Sequence, residues 1–134
     1  MLYPMAVMVL LTFVVGLITA RTRLASLRRG EVKVKYFKLM QGNDIPDRVT
    51  VTSRSFNNMF EVPVLFYVAC TLYISLSVVS VPGLVLAWSF VGLRCVHACI
   101  HLTYNNLLHR MLSFWASFLC AFLLWMNLVF QQTY

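Results

Sequence analysis

The sequence predicts an all-α fold, an integral membrane four-helix bundle. Three observations carry this expectation. Of 134 residues, 60% are hydrophobic. Only 11% are charged, where a soluble domain carries about a quarter. The charges are also segregated, with nine of the eleven Lys and Arg residues between positions 21 and 54. A soluble chain of this length could not cover so much apolar surface. Disorder requires low hydrophobicity and is excluded as well.

Crossing a bilayer takes about 17–25 mostly apolar residues. The first uncharged stretch runs from Leu2 to Ala20. It has no basic segment before it, and the positive charges follow it, so it reads as a retained anchor and not as a cleaved leader. The next uncharged stretch, Val62 to Leu93, is too long for one helix. Pro82-Gly83 in its second half predicts a tight helical hairpin. Met111 to Tyr134 supplies the last uncharged stretch. The expected spans are 2–20, 56–79, 83–104 and 110–130, within a single domain covering 1–134. Residues 21–55 form the connecting basic loop, punctuated by Gly30, Gly42, Asn43, Asp44 and Pro46. Within it, Glu31 to Lys38 mixes charge with Val, Tyr and Phe and reads as a segment lying on the membrane surface.

The basic residues set direction. Arg21, Arg23, Arg28, Arg29, Lys33, Lys35, Lys38, Arg48 and Arg54 place that loop in the cytoplasm by the positive-inside rule. Both termini are then outside. Trp88 and Trp125 fall toward the outer boundary and Trp115 toward the inner one, as interfacial aromatics do. The formal charge of +7 is therefore a topology signal that touches anionic lipid head groups, and no nucleic-acid partner is expected. Cys70, Cys95, Cys99 and Cys120 form no CxxC pair and lie in apolar runs, so they read as buried free thiols.

Charged groups inside a span are costly and mark function. Glu61 and Arg94 are the clear cases, and Arg110 opens the fourth span. Arg54, Asn58 and Glu61 are spaced i, i+4, i+7, one stripe on a continuous helix. Arg94, His97 and His101 are spaced i, i+3, i+7 and form a second. Both stripes lie in the inner half of the bilayer and must face a bundle interior, a subunit interface or a wet cavity. One reading is a buried Glu61–Arg94 ion pair that fixes helix register. It leaves Arg54, Asn58, His97, His101 and Arg110 as surplus donors, which suggests an anionic ligand. His97 and His101 could share a metal, but Cys95 and Cys99 point to another face of the helix, so no metal site is expected. No phosphate-cradling glycine motif and no nucleophile elbow is present.

Arg54-x-x-x-Asn58-x-x-Glu61 with Pro63 resembles the signature of the membrane-associated proteins in eicosanoid and glutathione metabolism, the MAPEG family. Arg94-x-x-His97, with Arg110 sixteen residues after Arg94, is similar to the spacing in the microsomal prostaglandin E synthase branch. The segment Asn57 to Tyr67 looks like that of the small bacterial members. His101 stands where many family enzymes carry Tyr. Pro63 follows Glu61 more closely than in the best-known enzymes, and Val62 stands where some members carry an aromatic side chain.

The resemblance implies a homotrimer with glutathione held between neighbouring subunits near the cytoplasmic face. Arg54, Asn58 and Glu61 would line the tripeptide, Arg94, His97 and His101 would join from span three, and Arg23 would add a basic contact. Arg110 would sit near the thiol as the catalytic residue. Arginines suit the two carboxylates of glutathione, Glu61 suits its ammonium, and a guanidinium favours the thiolate. The expected function is a glutathione-dependent transferase or peroxidase acting on a lipophilic electrophile from the lipid, in a bacterial inner membrane. The alternative is a non-catalytic member that binds a lipid or serves a larger membrane complex.

Overall fold

The computed structural model describes residues 1–39 and 45–133. Gly42, Asn43 and Asp44 lie outside the described residues. The elements are α1 (Leu2–Arg28), α2 (Val34–Leu39), α3 (Asp47–Asn57), a 3-10 turn (Asn58–Phe60), α4 (Val62–Ser75), α5 (Val81–Leu102) and α6 (Leu107–Thr133). Four helical segments are long and apolar enough to cross a bilayer: Leu2–Arg28, Asp47–Ser75, Val81–Leu102 and Leu107–Gln132.

The first helix does not stop at Ala20. Charge ends an apolar run but not a helix, and Ala, Leu and Arg are good helix formers. The stop comes at Gly30, with φ +70. The Glu31 N–H donates to the Ser26 carbonyl at 3.0 Å, and the Gly30 N–H to the Leu27 carbonyl at 3.0 Å. This is a Schellman end, which needs the left-handed conformation that glycine adopts freely. Arg29 pairs with Glu31 at 2.7 Å across it. That contact holds the Glu31 carboxyl below its ordinary value. The pair therefore contributes at neutral pH and is lost as pH falls through the lowered value, and exposure keeps its effect small. The expected loop 21–55 is thus largely helical, because α3 also begins at Asp47.

The second span is not one helix. Asn58–Phe60 winds as a 3-10 turn, and Glu61 leaves helical conformation at φ −96, ψ −102. Pro63, in the first turn of α4, explains the break, since it lacks an N–H and its ring would clash with the carbonyl four residues earlier in a continuous helix. The break sits beside a small core of Val15, Met59 and Ala98. Nearby, α1 and α3 approach closely. A Cβ on Gly16 would lie 3.0 Å from the Phe56 ring.

Pro82-Gly83 is not the hairpin turn either. The turn lies earlier, at Leu76–Ser80, where Ser77 takes φ +53. The Val78 N–H donates to the Tyr73 carbonyl at 2.9 Å, closing α4. Ser80 caps α5, its Oγ accepting from the Gly83 N–H at 3.1 Å. Pro82 occupies the first turn of α5, where no N–H is needed. Tyr73 then ties three elements together. Its hydroxyl donates to Asn127 Oδ1 at 2.6 Å, and the Ser80 hydroxyl donates to the same atom at 2.8 Å.

A Cβ on Gly83 would meet the Tyr73 hydroxyl at 2.9 Å and its ring at 3.0 Å. Gly83→Ala is expected to lower stability by roughly 1–3 kcal/mol. Thermal unfolding in detergent checks this, and Tyr73→Phe in the same background should recover part of the loss.

The main core is apolar and lies in the half of the bundle nearer that hairpin. Phe66 and Phe90 stack at 4.4 Å between α4 and α5, with Met8, Cys70 and Leu124 around them. Outward faces carry large apolar side chains such as Phe13, Leu119 and Phe130, as lipid contact requires. Of the four free cysteines only Cys70 is buried, and Cys99 is exposed. Cys99 lies on the α5 face opposite the polar stripe. Trp88 and Trp115 are exposed, but the Trp125 indole N–H donates to the Leu65 carbonyl at 3.1 Å and fastens α6 to α4.

Candidate functional site

The polar side chains gather at the opposite end of the bundle, between the break in the second span and the α5–α6 turn. Because α5 is continuous, Arg94, His97 and His101 share one inward face. Arg94 is 0% exposed and His101 is 0% exposed. His97 is buried beside them, its ring centroid 5.9 Å from that of His101.

Arg94 does not pair with Glu61. Among the described residues, Arg29–Glu31 is the only ion pair. One guanidinium nitrogen, Nη2, donates to the backbone carbonyl of Asn58 at 2.6 Å. This carbonyl belongs to the 3-10 turn at the helix break, so Arg94 ties α5 to the interrupted span. Its guanidinium carbon also lies 6.0 Å from the Phe114 ring centre. Nε and Nη1 have no partner.

His97 is turned toward α6. Its Nδ1 lies 3.1 Å from the Arg110 carbonyl and 3.2 Å from Ser113 Oγ. A carbonyl can only accept, so Nδ1 carries the proton in this contact. Nε2 then presents a lone pair on the neutral ring, buried and unpartnered. Both ring nitrogens of His101 are likewise buried and unpartnered. Arg110 is half-buried near the start of α6. Its Nη1 donates to Asn105 Oδ1 at 2.8 Å, and its Nε is unpartnered.

The expected stripe of Arg54, Asn58 and Glu61 does not exist as a helix face. The break takes Glu61 out of the α3 helix, and Arg54 and Glu61 both lie exposed on the surface of the chain. Asn58 meets Arg94 through its backbone and not through its amide. Arg23 reaches α3 instead: Nη2 donates to Ser53 Oγ at 3.0 Å, and its guanidinium carbon lies 5.7 Å from the Phe37 ring centre. Three contributors escaped the sequence reading: Ser53, Asn105 and Ser113. Only Asn105 left a signal, as half of an Asn-Asn pair between two apolar helices.

The result is a buried, largely cationic and imidazole cluster whose unpartnered nitrogens are Arg94 Nε and Nη1, His97 Nε2, His101 Nδ1 and Nε2, and Arg110 Nε. Such an arrangement can hold an anion or polarise an acid. Among the described residues, no group of three His, Cys, Asp or Glu side chains is placed to hold a metal ion. Beside the same helix break, α1 and α3–α4 frame an open apolar groove of about 810 Å³, lined by Val9, Phe13, Leu17, Phe56 and Phe60 among others.

No curated protein and no solved structure matches the chain. The sequence model of the MAPEG family matches residues 1–130. The match spans all four apolar helices and every residue of the cluster, and the chain is an integral membrane protein that belongs to the MAPEG family.

Proposed function

We propose that the chain is a glutathione-dependent membrane transferase or peroxidase. The observation that supports this best is Arg94, a fully buried guanidinium with no carboxylate within ion-pair distance among the described residues and two donors unused. A buried charge left this way is costly unless an anion completes it. Family membership supports glutathione, which carries two carboxylates, as that anion.

In this reading Arg94 and Arg54 hold carboxylates, Glu61 receives the ammonium, and the Asn58 amide with His97 and His101 completes the hydrogen bonding. Arg23 stands at the rim. Arg110 favours the thiolate. The thiolate sulfur attacks an electrophilic carbon and the leaving group departs with the bonding pair. With a hydroperoxide, sulfur takes the terminal oxygen, the alcohol leaves, and a second glutathione reduces the product. Arg54 and Glu61 are exposed on the isolated chain beside the buried cluster. A neighbouring copy covering them gives a homotrimer with the ligand between subunits. The basic 21–55 segment then faces the cytoplasm, in a bacterial inner membrane.

The apolar groove favours a second reading, a non-catalytic lipid-binding or accessory member. None of its lining side chains carries a charge. Titration calorimetry of the detergent-purified protein separates the two. The enzyme reading expects saturable glutathione binding with proton release near neutral pH. Turnover of a lipophilic electrophile should accompany it. Glu61→Gln should weaken binding about tenfold or more, the scale of one charge-assisted hydrogen bond, with the ligand-free melting temperature unchanged because Glu61 is exposed. No binding, with lipid retained through purification, would favour the second reading. A drop in ligand-free stability in Glu61→Gln would return Glu61 to a structural role.

A further inference from the structure

We infer that Asn105 is the positioning residue for Arg110, a neutral anchor that aims the guanidinium without discharging it. The inference rests on the glutathione reading of the site and assigns a role within it to a residue of the α5–α6 turn.

Arginine is long and has many rotamers, so a guanidinium that acts at one atom must be held. The backbone of Arg110 is fixed from two sides. Its N–H donates to the Asn106 carbonyl at 3.0 Å, and its carbonyl accepts from His97 Nδ1 at 3.1 Å. The side chain has a single hydrogen-bond anchor among the described residues, Asn105 Oδ1 at 2.8 Å from Nη1. That anchor is rigid for a local reason. Asn105 adopts φ +49, a left-handed conformation that Asn and Gly tolerate and most residues do not. Its own N–H donates to the Ile100 carbonyl at 2.8 Å across the end of α5. The turn therefore fixes the backbone of Asn105, and Asn105 fixes the head of Arg110.

The chemical identity of the anchor matters. A carboxylate here would hold the guanidinium more tightly but would cancel its field at the thiol. The amide oxygen accepts the same hydrogen bond and leaves the full positive charge available. Asn combines left-handed tolerance with a neutral side-chain acceptor of this reach.

Two substitutions separate this role from that of a turn former. Asn105→Gly keeps the left-handed backbone and deletes the anchor. Asn105→Asp keeps the backbone and the acceptor and adds a negative charge. The readout is the pH midpoint of thiolate absorbance for bound glutathione, with the dissociation constant and melting temperature measured alongside. For Asn105→Gly the midpoint should rise by about one unit, a tenfold change in the thiol's ionisation constant, with affinity and melting temperature nearly native. For Asn105→Asp it should rise by at least as much, although the guanidinium stays in place. If Asn105→Gly fails to fold, Asn105→Asp alone decides. Native midpoints in every variant that folds would overturn the inference while leaving the site's reading intact. A native protein that produces no thiolate would overturn that reading, and this inference with it.

Discussion

Arg110→Ala raises the thiol midpoint of bound glutathione by about one to three pH units, the effect of removing one opposite charge within contact distance. The free thiol titrates near 8.5, so only a few per cent is thiolate at neutral pH. A midpoint near or below neutrality in the native complex therefore rises toward the solution value in the variant. Reaction rate with an apolar electrophile should drop with it, by tenfold or more at neutral pH. The loss should shrink as pH approaches the free-thiol value, where ionisation no longer needs help. Binding should change much less, since the carboxylates are held elsewhere. Arg110→Lys keeps the charge but loses the forked donor geometry and the Asn105 contact, so it should recover only part of the thiolate. Stopped-flow absorbance across a pH series checks all three statements. A pH-independent loss would mean that Arg110 supports the structure and not the thiol.

Arg94→Met separates ligand binding from stability in the opposite direction to intuition. A fully buried residue of this size normally costs several kcal/mol to replace. Arg94, however, is a charge with one neutral acceptor at 2.6 Å and two unsatisfied nitrogens. Removing it strands the Asn58 carbonyl, at about 1–3 kcal/mol. It also removes a buried charge that has no carboxylate within ion-pair distance among the described residues, which offsets a similar amount, because apolar replacements of buried ionic groups are often neutral or stabilising. Methionine fills most of the volume and adapts its shape. The ligand-free protein should therefore melt within a few degrees of native, or higher. Glutathione should bind at least a hundredfold more weakly, and its stabilising effect on melting should vanish. Had Glu61 and Arg94 formed a buried pair, the same change would have left Glu61 stranded and the ligand-free protein sharply destabilised. Paired melting curves with and without glutathione give the answer in one experiment.

The parts of the site that were legible in the sequence are those carried by unbroken helix. Arg94, His97 and His101 keep their i, i+3, i+7 phase because α5 runs without interruption, so spacing translated directly into a shared face. Arg54, Asn58 and Glu61 have an equally regular spacing, but the backbone between them does not. Pro63 was visible, yet its consequence was not. The break displaces Glu61 from the stripe, and Arg94 then spends a hydrogen bond on the exposed carbonyl of Asn58. Span number followed from apolar length alone. Helix ends did not, because α1 continues through arginines that are good helix formers and stops only where Gly30 can turn left-handed. Asn105 was hidden for a related reason. Its contribution depends on a backbone conformation that no periodicity encodes. Glu61 and Arg54 were expected to find partners of opposite charge, and among the described residues neither has one within ion-pair distance.

The central claim is that this buried cluster binds glutathione and ionises it. The direct measurement is the near-ultraviolet difference spectrum of the native protein in mild detergent, titrated with glutathione at neutral pH. A non-ionisable S-substituted analogue serves as the block. A thiolate band is expected that saturates in stoichiometric proportion to the sites present and disappears when the analogue is bound first. No band, together with no heat of binding, would contradict the claim and would leave the apolar groove between α1 and α4 as the better guide to what this membrane protein holds.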